Sequence, residues 1–105
     1  MTDLVLVLTT ISNERADEVA RTLVDERLAA CVNVHGTMQS TYRWKGRVEC
    51  DAERQLVIKT TSDRVEALRS RLAALHPYEL PEFIVLQAES ASAGYEGWVH
   101  ENTRT

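Results

Sequence analysis

The apolar positions change period several times along the chain, and each change marks an element. Leu4-Val5-Leu6-Val7-Leu8 is an unbroken run of branched residues, the pattern of a strand covered on both faces in the middle of a sheet. Thr9 to Asn13 ends the run, and Ser12 or Asn13 can cap a helix with Glu14 in its first turn. Ala16, Val19, Ala20, Leu23 and Leu28 then recur at helical spacing, with Arg15, Asp17, Glu18, Arg21, Asp25 and Glu26 on the opposite side. That is a helix with one face on a core. A second strand begins at Ala30-Cys31-Val32-Asn33-Val34, and after Gly36 alternation resumes through Met38, Ser40, Tyr42 and Trp44. Lys45-Gly46 is a tight turn, and a third strand runs from Arg47 to Thr60.

Ser62 is expected to cap a second helix with Val65, Leu68, Leu72 and Leu75 inward and Arg64, Glu66, Arg69 and Arg71 outward. His76-Pro77 ends it, because the residue before a proline is pushed out of the helical region. An extended, proline-bracketed passage from Tyr78 to Glu82 leads into Phe83-Ile84-Val85-Leu86, predicted to be a fourth, mostly buried strand. Ala91 to Thr105 reads as a short terminal helix with Tyr95 and Trp98 three positions apart on one face.

Leu8-Thr9-Thr10 before the first helix is echoed by Lys59-Thr60-Thr61 before the second. Each half therefore reads strand, helix, strand. Two such units with right-handed crossovers predict an α+β, ferredoxin-like split βαβ domain, βαββαβ plus a C-terminal helix, with strands one and three central. Its 105 residues fit a single domain spanning 1–105. Strands two and three are each roughly a dozen residues, against a typical five or six. Such a hairpin overreaches its own helices and needs a partner to cover it.

Composition narrows the function. The apolar fraction is 44% and the charged fraction 27%, values of an ordinary globular domain. With a net charge of −4 and no run of Lys or Arg, nucleic-acid binding is not expected. No apolar run approaches the roughly 18 residues that span a bilayer. Asp3 also stands where a signal peptide would be positive. No membrane association is expected, a cytoplasmic location is, and Cys31 and Cys50 are then free thiols.

No GxSxG elbow, glycine-rich phosphate loop or HExxH pattern occurs, so the chain is not expected to be an enzyme. His76, at a helix end and fixed by the following proline, is the leading metal-ligand candidate, since imidazole suits copper and zinc. The alternative is a helix-end cap. Cys31 is the second candidate ligand, against a reading as a small buried hydrophobe. Cys50, between Glu49 and Asp51, is incidental. Tyr42 and Trp44 near the hairpin tip, and Tyr95 and Trp98 at the C-terminus, are candidate self-association residues, because aromatics are enriched at buried interfaces.

Leu28-Ala29-Ala30-Cys31-Val32-Asn33, Tyr42-Arg43-Trp44-Lys45-Gly46, Ile58-Lys59-Thr60-Thr61, His76-Pro77-Tyr78-Glu79-Leu80-Pro81-Glu82 and the Tyr95-x-x-Trp98 ending together resemble the CutA, or divalent-cation tolerance, family. The resemblance runs from about Leu4 to Trp98. It implies a homotrimer in which hairpins and C-terminal segments pack on neighbouring subunits, and a role in tolerance of divalent metals, copper chiefly. No cofactor is required; weak binding of Cu(II) or another divalent ion is expected. The family's proposed ligand positions fall on Thr9, Leu75 and His76, so one ligand of three is retained. Two further readings stand beside this one. The first is a small-ligand sensor analogous to the PII-type trimers, with Lys59, Arg43, Tyr78 and Glu82 around inter-subunit clefts. The second is a structural trimer for another protein.

Overall fold

The computed structural model describes residues 2–104. The elements are β1 (Leu4–Ile11), α1 (Asn13–Asp25), β2 (Cys31–Val34), β3 (Met38–Trp44), β4 (Arg47–Thr61), α2 (Val65–Leu75), β5 (Ile84–Gln87) and α3 (Ala93–Glu101). The sheet order is β2-β4-β1-β5, with β3 also paired to β4, and every pairing is antiparallel. This is the ferredoxin-like arrangement, and β1 and β4, the first and third of the expected strands, are the central pair.

The second expected strand is two strands. Val34 opposes Leu56, and Met38 opposes Glu53, so four steps on one side face three on the other. That is a bulge of one residue, and a one-residue slip exchanges the faces on which side chains lie. Cys31 and Asn33, at odd positions, therefore share a face with Met38, Ser40, Tyr42 and Trp44, at even ones. At the far end, Lys45 and Gly46 have φ of 51° and 81°, the paired left-handed conformation of a two-residue hairpin turn.

β1 runs on to Ile11, three residues beyond its apolar run, because Thr9, Thr10 and Ile11 keep pairing with Leu56, Gln55 and Arg54. α1 ends in a Schellman closure, in which the Leu28 amide donates to the Leu23 carbonyl at 3.0 Å and the Arg27 amide to that of Val24. Ser62 does not cap α2. It opens a short 3-10 turn, and Thr61 outside it donates its hydroxyl to Asp63. The last helix ends at Glu101, short of the expected Thr105, which lies outside the described residues.

One face of the sheet is closed. Val5, Val7, Ile11, Leu56 and Ile58 meet Ala16, Val19 and Leu23 of α1 and Leu68 and Leu72 of α2 in the main core. The other face is covered only at one end, where Leu4 and Ala30 pack under Val99 of α3. Beyond that patch it is open. Leu8 and Val57 are half-buried, and Ile84 and Leu86 of β5 are 47% and 46% exposed, whereas Leu6 packs against the patch itself. The expected mostly buried fourth strand is thus an exposed edge strand: among the described residues it pairs with β1 alone, and all four of its residues are exposed.

Candidate functional site

His76 stands at the C-terminal end of α2 with extended backbone, φ −75° and ψ 133°, the conformation that the following proline favours. Its side chain is buried. The Tyr78 amide donates to Nδ1 at 3.2 Å, so Nδ1 is the acceptor and Nε2 carries the proton. Nε2 donates in turn to the Thr10 carbonyl at 2.8 Å, with the Thr9 hydroxyl 3.3 Å away. Burial depresses the imidazole pKa and the Arg15 charge adds to it; the Thr10 carbonyl and Glu53 oppose the shift. The ring also meets Tyr78 edge-on at 4.7 Å between centroids.

His76 therefore fastens the 77–82 loop to the end of β1 and places Tyr78. The Tyr78 hydroxyl donates to Glu53 Oε2 at 2.7 Å, and burial first, then this bond, raises the phenol pKa. On the hairpin, the Tyr42 hydroxyl donates to Asp51, a bond that pushes its pKa up to about 12. Glu53 is only 7% exposed. Glu82 has one carboxylate oxygen, Oε2, closed off from solvent and without a partner. Burial, reinforced by Glu53, holds its pKa above the ordinary carboxylate value.

These groups line a cleft of about 910 Å³ between the β3–β4 hairpin and the 78–82 loop, to which Thr10 and Ser12 also contribute. It opens on the uncovered side of the sheet, since Thr10, Asp51 and Glu53 alternate in step with Leu8 and Val57. Tyr78 and Glu82 line this cleft within the chain, and Arg43 and Lys59 lie outside it; the clefts expected to gather all four are between subunits. Tyr42 and Trp44 are at its wall. Tyr95 and Trp98 lie elsewhere on α3, 39% and 44% exposed, their rings 5.6 Å apart and Lys59 Nζ 6.0 Å from the Tyr95 ring.

The residues present do not fit a metal centre built on His76. Both its ring nitrogens are engaged, and a ligating imidazole must present a free lone pair. Thr9 offers a hydroxyl, and Leu75 packs against the core. Cys31 opposes Lys59, whereas Thr10 opposes Gln55, four positions along β4, or about 13 Å. Among the described residues no three His, Cys, Asp or Glu side chains converge to hold an ion. Cys31 and Cys50 are both free thiols, half-buried and exposed respectively.

Glu53, Asp51 and Thr10 were not singled out in the sequence. A lone glutamate on a strand of alternating polar residues gives no sign that a tyrosine from a distant loop will bury it. The apolar members of the open face, Leu8, Val57, Ile84 and Leu86, were legible as apolar but not as uncovered.

Fold and site define a ferredoxin-like domain with one unfinished sheet face and an acidic, aromatic cleft at its hairpin end. The chain belongs to the CutA1 divalent ion tolerance protein family, whose model matches residues 4–102. It is 43% identical over 99 residues to the divalent-cation tolerance protein CutA of Thermus thermophilus, covering 94% of this chain and 96% of that one. It is 44% identical to mouse Protein CutA over 91% of this chain, but spans only 55% of the mouse protein. Among solved structures, CutA from Xylella fastidiosa superposes with a TM-score of 0.95 at 41% identity, over 98% of this chain and 100% of that one. The PII-like protein CutA from Nostoc sp. PCC 7120 superposes with 0.91 at 37%, over 95% and 97%. Plant relatives are named chloroplastic and an Archaeoglobus fulgidus neighbour is described as periplasmic, so membership assigns no compartment. No helix among the described residues is long and apolar enough to cross a membrane.

Proposed function

We propose that this protein is a non-enzymatic homotrimer of the divalent-ion response. It acts in a PII-like manner, through a small ligand taken up in the cleft between hairpin and loop, rather than by holding copper at His76. The observation that carries the reading is the uncovered sheet face. Exposing Ile84 and Leu86 beside half-buried Leu8 and Val57 leaves a contiguous apolar surface of the kind that marks an interaction site. A domain of this size also gains stability by burying such a face against copies of itself.

Because the cleft opens on the same side, assembly would set a neighbouring copy across its mouth, and ligand occupancy would be felt at the interface. That is how a binding event becomes a signal without chemistry. The Nostoc neighbour's description as PII-like is consistent with such a role. A cytoplasmic site of action remains part of the proposal.

Two measurements test it. Sedimentation at micromolar concentration should give about three times the 11.9 kDa chain mass; a stable, folded monomer would sink the assembly. Copper titration of wild type and His76→Ala should give equally weak curves. A saturable wild-type site that vanishes in the variant would restore direct metal binding.

A further inference from the structure

We infer that the basic tip of the β3–β4 hairpin of one copy lies across the mouth of the acidic cleft of the next, so that a neighbouring subunit completes the cleft. This rests on the assembly reading above and names the contact that orients the copies. The hairpin segregates its charge along its length: Arg43, Lys45 and Arg47 surround the turn, whereas Glu49, Asp51 and Glu53 follow on β4.

Each patch lacks a counter-charge within its own chain. The three bases at the tip are exposed, and none of them is in an ion pair among the described residues. Arg43 donates to the Gly46 carbonyl at 3.5 Å, and the Lys45 ammonium lies 5.7 Å from the centroid of the Trp44 ring. The cleft has the opposite imbalance. Asp51, Glu53, Glu79 and Glu82 line it, and among the described residues no Lys, Arg or His does. The tip cannot supply the missing base at home. Arg47 and Glu53 are six positions apart on β4, about 20 Å, and the pairing that runs from Met38–Glu53 to Trp44–Arg47 holds the hairpin extended up to its turn. Glu82 sits within range of the Glu53 charge, so it is out of the tip's reach as well.

A tip and a cleft are different patches of one surface, so their contact is head-to-tail, and contacts of that kind close into rings. Charge also selects the approach. Copies that each carry a net charge of −4 repel, and the orientation that brings tip to cleft is the one that sets opposite signs together. The same contact gives cover to the aromatic flank of the tip, where Tyr42 is 42% exposed and lines the cleft with Trp44.

Charge reversal at both ends is the test, read by sedimentation over a dilution series. Lys45→Glu/Arg47→Glu makes the tip acidic, and Glu79→Lys/Glu82→Lys makes the cleft basic. Either double variant sets like charges against each other and should dissociate at a protein concentration about ten-fold above that of wild type. The fourfold variant, which carries both reversals, restores opposite signs and should return to within about three-fold of wild type. Salt of about 1 M, where the Debye length is about 3 Å, should narrow the gap between the double variants and wild type. Circular dichroism establishes that each variant is folded, and should the fourfold variant fail to fold, the exposed pair Arg47→Glu and Glu79→Lys, singly and together, makes the same comparison. Double variants that assemble like wild type, a combined variant no better than its parents, or a gap that salt leaves unchanged would overturn the contact while an intact wild-type trimer leaves the assembly reading standing. A monomeric wild type would remove that reading, and the contact with it.

Discussion

Because the Tyr78 amide can only donate, its bond to His76 Nδ1 leaves the ring proton on Nε2, where the Thr10 carbonyl accepts it. The neutral ring is thus a bridge between β1 and the loop, and a protonated ring would lose the Tyr78 bond. His76→Gln should cost about 2 kcal/mol, since it leaves buried backbone groups poorly paired. The folded pKa lies below the unfolded value of about 6.5, so below that pH the unfolded chain binds a proton that the folded chain refuses. Stability from this group is therefore full above about pH 6.5 and is lost as pH falls toward the lowered folded pKa. Urea midpoints of wild type and His76→Gln, at one protein concentration, should differ most at pH 7–8 and converge on acidification. A constant difference would show that the ring does not titrate in this way. From sequence, the proline and the helix end placed His76 correctly, and a cap was one of the two readings. Its partners were invisible because Thr10 and Tyr78 approach it only through the fold.

At the scale of elements, the hairpin is the most exacting piece of local structure. Gly46 has φ of 81° and open space around its missing Cβ, so Gly46→Ala meets no clash and its cost is backbone strain alone, about 1 kcal/mol. Thermal denaturation should register a loss of that order. A neutral effect would mean that the turn relaxes to another type. The alternation from Met38 to Trp44 made this hairpin legible, and Lys45-Gly46 fixed its turn. The bulge at residues 35–37 was not legible, since nothing in His35-Gly36-Thr37 tells how many residues face them on β4. Nor was the exposure of β5. A four-residue apolar run reads alike whether its own chain or another covers it, and only the exposure of that edge in the folded chain separates the two cases. A second element-scale device is the tail: Arg104 grips Asp63 through two nitrogens at 2.8 and 3.0 Å, tying the segment after α3 to the 3-10 turn that precedes α2. The carboxyl pKa is driven well below its usual value, first by that bond. This contribution is present above about pH 4 and fades as pH falls through the lowered pKa. Solvent exposure on both sides keeps it small, so Asp63→Asn should loosen α3 in hydrogen exchange more than it lowers the melting temperature.

For the whole molecule the question is what covers the open sheet face, and two substitutions of identical chemistry on opposite faces answer it. Leu86 projects on the α3 side, opposite Leu6 in the β1–β5 register, and is 46% exposed. Val24 belongs to α1 in the helical layer and is 39% exposed. In an isolated chain, Leu86→Glu and Val24→Glu would both place a carboxylate in water and cost little. If copies close over the open face, Leu86→Glu instead forfeits about 1–2 kcal/mol of apolar burial and strands a charge in each of three interfaces, whereas Val24→Glu stays in solvent. Sedimentation at micromolar concentration should therefore find Leu86→Glu largely monomeric and Val24→Glu assembled like wild type. Equal assembly of the two variants would mean that the apolar face serves something other than a second copy of this chain. Leu86→Glu should also lower thermal stability, because the face it exposes is then left to water, and that loss should grow less steep as protein concentration is reduced and wild type itself dissociates.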